Sequence, residues 1–451
     1  MLLILAGVSI ATLTGENGIL TRAQEAKNKT EKAEDIEKIK LAILEAQIGE
    51  NGYQKLDIDG LQKELEKVFE NGILKVYDNN NEEFIYYVNG NIYKISSNEV
   101  TELDFGNAIT KKEENRNIQG EYKYAYNNPV IPKGFIPLET KEASWLTDKE
   151  GLPIGWNNGL VIMDESGNEF VWVPCIINES DSSGEVIKYG CYAQDDKFTN
   201  YQVDINSLQD IQKYIPVENE FSQIEKYQGF YVGRYETAMS ENIPRVSNVD
   251  IDDSPDVVNI NKIEPEYNGT SVEPVIQQGK EVWNYVSRDN AAEISRKIVN
   301  NENVRSELIT GKQWDTMLEW IITGGTYDNS SNADKYYSEI GNFYNSRFTI
   351  NGLYSIRENN VANWHEGQYT KSINESIYLG TGVHNNSKVN NIYDIYGNVW
   401  EFTTETDANG KIIQRGIGAN AASNKAAGVH RHGNDDVSGI EMGFRTVLYI
   451  L

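Results

Sequence analysis

The chain opens on an apolar run, Leu2 to Leu13, that breaks at the stretch Gly15–Gly18. The run is shorter than the roughly 20 residues a bilayer-spanning helix needs. No basic stretch precedes it, as one would in a secretory leader. From Ile19 to about Ile48 the pattern is helical. Ala, Lys and Glu dominate, and Ile36, Ile39, Ile43 and Ala46 fall on one stripe. Residues 51–104 read as a small α/β unit. "IDGLQKELEKVF" is a short helix with Asp59 as its cap, and "ILKVY", "EFIYYV" and "NIYKI" are strands. Asn89-Gly90, between the last two, is a strong hairpin signal. Residues 105–130 have no clear period and read as a linker.

From Ile131 the texture changes. Aromatic-rich strands dominate: "EFVWVPCII", "GFYVGRYETA", "EVWNYVS", "NVWEFTTE" and "FRTVLYI". Helical patterns are few, the best being "RDNAAEISRKIVNN" and "GKQWDTMLEWIIT", the latter with Trp314, Leu318, Ile321 and Ile322 at helical spacing. The expected class is α+β. An N-terminal helical segment (1–50), a small α/β unit (51–104) and a linker (105–130) lead into a large loop-rich domain (131–451).

Composition narrows the function classes. Among 451 residues, 41 Lys and Arg stand against 68 Asp and Glu, for a net charge of −27. Such a chain repels phosphate backbones and anionic lipid heads, so nucleic acid is not an expected partner. Tyr at 27, with many Asn and Gly, suits strands, turns and polar loops of a cell-surface kind. Cys175 and Cys191 flank "IINESDSSGEVIKYG", which reads as a hairpin. A cross-strand disulfide and two thiols are both open there. His430 and His432 are two apart, but no third zinc ligand is evident nearby. No nucleophile elbow, phosphate loop or dinucleotide fingerprint is present.

"LLILAGVSIATLTGENGILTRAQEAKNKTEKA" resembles the N-terminal helix of prepilin-like surface proteins of Gram-positive bacteria. In that family the apolar run continues upstream into a basic stretch and a cleavage motif. Here both are missing, so Met1 reads either as an internal or misassigned start or as the start of a truncated soluble product. The resemblance implies a cell-surface or extracellular location, with membrane or pilus association through this helix.

A second resemblance runs from Gly229 to Arg445. "GFYVGRYETA", "VWNYVSRDNAAE", "GKQWDTMLEWIITGG", "YDIYGNVWEFT" and a closing "RG…GFR" are similar, in order, to segments of the formylglycine-generating-enzyme (sulfatase-modifying factor) family. "YDIYGNVWEFT" is the most specific of them. The resemblance implies a loop-rich variant of the C-type-lectin fold. It also implies calcium, with carboxylates from Asp394 and Glu401 and backbone carbonyls from Gly397 and Val399, an oxygen set that suits a hard cation. The residues alone allow another reading, in which Asp394 caps the turn and Glu401 pairs with a core arginine. Gly397-Asn398 should form a tight turn, and Trp400 and Phe402 should alternate with Glu401 on a half-buried strand. The family's oxidative chemistry uses two cysteines in its final loop, and residues 416–442 hold none. Thiolate chemistry has no substitute in Ser or Asn, so the resemblance implies a catalytically inactive domain.

The stretch between Arg415-Gly416 and Gly443-Phe444-Arg445 is small and polar, and reads as a loop. Loops on a rigid scaffold commonly carry recognition. Its candidate ligand-binding residues are Asn420, Ser423, Asn424, His430, Arg431, His432, Asn434, Asp435 and Asp436, and "NNVANWHEGQY" (Asn359–Tyr369) reads as a neighbouring loop. Randomising both adenines of an Asn codon cannot yield Lys, Glu, Gln, Met or Trp. Of these five, only Lys425 occurs between Gly416 and Ile440. In this the stretch resembles the variable region of diversity-generating retroelement target proteins. The expected function is therefore a surface-displayed binding protein for a protein or glycan partner. An enzyme of the same superfamily acting through other residues, and a structural pilin-like subunit, are the alternatives.

Overall fold

The computed structural model describes residues 19–49, 52–53, 55–69, 72–78, 83–89, 91–103, 115–116, 122–123, 129–138, 145–147, 153–156, 159–177, 186–192, 198–200, 209–210, 217–242, 245–246, 262–267, 269–323, 340–358, 361–406, 410–422, 431–434 and 439–451. Together they form a mixed α+β protein built on antiparallel sheets. The chain divides into two compact units, one of Met1–Phe105 with Glu139–Glu142, the other of Gly106–Leu138 with Ala143–Leu451.

In the first unit, helix α1 (Ile19–Gln47) and helix α2 (Ile58–Leu65) accompany a four-stranded sheet. Its strands, in spatial as in chain order, are β1 (Gly72–Asp78), β2 (Glu83–Val88), β3 (Asn91–Ile95) and β4 (Val100–Leu103). The expected stripe on α1 faces the core: Ile39 and Ile43 are buried, with Ile36 and Ala46 packed beside them. Leu41, Leu44 and Ile48 stay exposed. Asp35 is buried and accepts hydrogen bonds from Asn89 Nδ2 (3.0 Å) and the Tyr93 hydroxyl (3.2 Å), tying α1 to the β2–β3 hairpin. Asn89 takes φ +53°, as a two-residue hairpin loop requires. The α2 cap is Asp57 rather than Asp59. Asp57 has extended backbone and accepts from the Gly60 amide, whereas Asp59 already lies in the first turn. No helix among the described residues is long and apolar enough to cross a membrane.

The second unit contains strands β5 (Phe135–Leu138), β6 (Val161–Asp164) and β7 (Glu169–Pro174), helix α3 (Val217–Tyr227), strand β8 (Gly229–Gly233), helix α4 (Arg288–Ile298), strand β9 (Val304–Leu308) and helix α5 (Gly311–Thr323). The long strands β10 (Phe348–Glu358) and β11 (Val361–Lys371) follow, then β12 (Ile377–Leu379), β13 (Trp400–Thr406), β14 (Ile412–Arg415), β15 (Arg431–Asn434), β16 (Met442–Phe444) and β17 (Thr446–Ile450). A six-stranded antiparallel sheet, ordered β9-β17-β8-β7-β6-β5, forms its centre. Trp172 of β7 and Tyr231 of β8 meet edge-on with ring centroids 4.9 Å apart, inside a cluster that includes Phe170, Leu448 and Tyr393. A Cβ on Gly229 would come within 2.3 Å of the Trp172 ring, so glycine is what lets β8 approach so closely.

Three patterns differ from expectation. "EVWNYVS" forms no regular strand. It is buried, contributes a single bridge from Val282 to Ala238, and turns at Tyr285 with φ +55°. β13 is buried on both faces from Glu401 to Glu405 rather than half-buried; β14 and β16 pair with its edges, and helices α4 and α5 pack against it. The stretch expected to be a linker carries a short pairing of Asn115–Arg116 with Tyr122–Lys123.

Candidate functional site

Both ends of the small polar stretch are held by buried arginines. Arg415, at the end of β14, is fully buried and donates through Nη2 to Asp315 Oδ1 (2.6 Å) and the Gly311 carbonyl (3.2 Å). Its Nε lies 3.1 Å from Glu405 Oε2. Arg445, between β16 and β17, is equally buried. It makes a two-point pair with Glu401, Nη2 to Oε1 at 2.8 Å and Nε to Oε2 at 3.1 Å. It also donates to the carbonyls of Gly233 and Tyr393, each at 3.0 Å. Parallel pairing of β13 with β16 sets Glu401 opposite Gly443 and Phe402 opposite Phe444. The sequence's two firm ends are therefore ion-paired clamps in the core.

The segment leading into β13 is wound tightly. Asn390, Asn391, Asp394, Gly397 and Asn398 all take positive φ, a region that Gly, Asn and Asp enter most easily. Gly397 has φ +99°, and a Cβ there would lie 2.5 Å from the Asn342 carbonyl oxygen. This winding turns polar side chains inward. Asp394 accepts from the Gly382 amide and the Ser387 hydroxyl, both at 2.7 Å. Asn398 donates through Nδ2 to Glu236 Oε2 (2.8 Å) and accepts at Oδ1 from the Leu379 amide (2.8 Å).

Three buried carboxyls, Glu236, Asp394 and Glu401, thus share one core with the guanidinium of Arg445. Oε1 of Glu236 has no hydrogen-bond partner among the described residues. Burial raises the Glu236 pKa well above its ordinary 4.5, and the charges of Asp394 and Glu401 raise it further. Burial also raises Asp394 and Glu401, with Arg445 opposing in both. In the six-stranded sheet, burial pushes Asp164 up to about 6. A carboxyl raised on folding binds more protons folded than unfolded, so stability is greatest below the ordinary value and is lost as pH climbs through the folded pKa. The melting temperature should accordingly be higher at pH 5 than at pH 8. Glu236→Gln, which copies the neutral acid, should narrow that difference. An identical pH dependence in the variant would remove Glu236 from this account.

In the expected calcium set Asp394, Gly397, Val399 and Glu401, the Glu401 carboxylate is already engaged by Arg445. Calcium takes six to eight oxygens at roughly 2.3–2.6 Å, and a dication at Glu401 would face the guanidinium already bound there. The carboxylates instead follow the other reading, with Asp394 tying its turn and Glu401 paired to an arginine. Among the described residues, no group of three or more His, Cys, Asp or Glu is placed to hold a metal. Cys175 and Cys191 are thiols rather than a disulfide.

Of the candidate ligand-binding residues, Asn420 is exposed in a turn closed by the Ala421 amide on the Gly418 carbonyl. Arg431, His432 and Asn434 lie on strand β15, opposite Arg415, Gln414 and Ile412, so this part of the stretch is sheet rather than loop. Small polar residues carry no strand signal of their own; pairing with the buried β14 decides it. Ser423, Asn424, His430, Asp435 and Asp436 lie outside the described residues. "NNVANWHEGQY" supplies most of β11 rather than a loop. Sequence reasoning missed Glu236 and Asn342, whose Nδ2 bonds Asn398 Oδ1 at 3.0 Å. The one available signal for Glu236 was a charged residue inside an aromatic segment. No family model matches the chain, and no curated protein is similar to it.

Proposed function

We propose that the chain is a cell-surface or pilus-associated binding protein. Its large unit is a C-type-lectin-like domain of the formylglycine-generating-enzyme type without that family's catalytic cysteines, and it displays a variable segment, residues 416–440, to a protein or glycan on another surface. One observation carries this reading: a small polar segment is held at both ends by buried, ion-paired arginines, Arg415 and Arg445. Rigid ends on either side of a polar stretch are what a display surface needs. Anchoring through the N-terminal helix is supported by the exposed Leu41 and Leu44 on α1.

The test is a binding profile on arrays of glycans and bacterial surface proteins. Joint replacement of Asn420, Asn424, His430, Asn434 and Asp435 by Ala or Ser should change the profile. A profile that survives the replacement would sink the display reading. Catalysis is checked separately. A cysteine-containing sulfatase-type peptide, incubated with the protein and copper, should keep its mass, and conversion above a metal-only control would restore the enzyme reading.

A further inference from the structure

β10 pairs with β11 along its whole length, but with β12 only at Tyr354–Ile356. Its first residues, Phe348–Asn351, therefore keep a second edge that no strand among the described residues covers. Between that edge and Val383–Asn386 lies a cavity of about 540 Å³, inside the usual range for small-molecule sites.

The lining is chemically specific. His384 is 3% exposed and stacks on Phe348, ring centroids 4.2 Å apart at 24°. Neither of its ring nitrogens has a hydrogen-bond partner among the described residues. Native proteins rarely leave such groups unpaired. Burial lowers its pKa to about 4, so at neutral pH the ring is uncharged and offers one donor and one acceptor. Arg347 is exposed at the rim and makes no ion pair among the described residues. Lys371 lies 5.7 Å from the centroid of the Phe348 ring, its ammonium held by the carbonyls of Phe343 (2.7 Å) and Ser346 (3.0 Å). Lys371 is itself fully buried and does not line the cleft; Arg347 does, and in a chain of net charge −27 its guanidinium makes a local exception that favours an anion.

We propose that this cleft binds a polyhydroxylated carboxylate of the uronic-acid class, with Arg347 taking the carboxylate and His384, Asn351 and Asn385 taking hydroxyls. The guanidinium fork matches a carboxylate at two points. A hydroxyl both donates and accepts, which complements a neutral imidazole and the Asn amides. A peptide laid along the free edge of β10 would instead pair with backbone and leave the imidazole unused. None of the lining residues belongs to segment 416–440, and the assignment does not rest on what that segment binds.

Calorimetric titration of the full chain should compare glucuronate, glucose, acetate and an acetylated dipeptide. Glucuronate should bind roughly tenfold or more tighter than each of the others, a difference of about 1.4 kcal/mol. It should also shift one imidazole signal among the four histidines, the one that disappears in His384→Phe. Arg347→Ala should abolish the preference for glucuronate over glucose while the melting curve, recorded in parallel, stays in place. Equal binding of glucose or acetate, tighter binding of the dipeptide, an unmoved His384 signal, an unaffected Arg347→Ala protein, or no glucuronate binding at millimolar concentration would each overturn the assignment.

Discussion

Arg445→Met should destabilise the large unit by about 3–5 kcal/mol, the usual consequence of removing one partner of a buried ion pair. The side chain is fully buried and fills four acceptor positions: two on Glu401 and the carbonyls of Gly233 and Tyr393. Methionine approximates the volume of the stem and supplies no donor. Glu401 would then share its pocket with Asp394 and Glu236 and no cation, so its pKa would climb further and it would take up a proton on folding. Denaturant unfolding measures the loss. The double variant Arg445→Met with Glu401→Leu should regain part of it, because no uncompensated charge is left behind, and the cycle isolates the pair's coupling. A single variant within about 0.5 kcal/mol of the wild type, the range of an ordinary surface change, would mean that Arg445 is not the clamp described above.

Elements whose cause is local were legible in the sequence. The stripe on α1, the Asn89 turn, and helices α4 and α5 follow from periodicity and turn chemistry. Elements whose cause is tertiary were not. β15 is a strand because β14 is beside it, and "EVWNYVS", despite its strand-like pattern, makes one bridge and turns at Tyr285. The site divides the same way. The spacing of Asp394 and Glu401 marked them as a pair, yet the arginine that pairs with Glu401 and the carboxylate that meets the neighbouring Asn398 lie far along the chain. Arg445 is 44 residues from Glu401, and Glu236 is 162 from Asn398. No local rule connects residues at such separations, so the spacing alone could not choose between a metal and an arginine as the partner of these acids. His384 carries no motif at all. Its interest comes from a buried position without hydrogen-bond partners, which only coordinates reveal.

Phe444→Ala should cost about 3–5 kcal/mol, in the range measured for Phe in well-packed cores. Phe444 is fully buried on β16, level with Phe402 of β13 across a parallel pairing, and its carbonyl accepts the Thr237 amide at 2.9 Å. The strand is only three residues long. It can yield little to fill the space left by a lost ring, so most of the cavity should persist. The contrast lies a short way upstream. Replacing Asn420, Asn424, His430, Asn434 and Asp435 together removes small or polar side chains, and changes of that kind away from special backbone positions usually stay within about 0.5 kcal/mol each. Melting temperatures of the two proteins, measured side by side, should therefore diverge sharply: a large drop for Phe444→Ala and little change for the five-residue variant. If the five-residue variant unfolds while Phe444→Ala melts like the wild type, the clamp and the displayed segment have been assigned in reverse, and the binding role proposed for residues 416–440 falls with them.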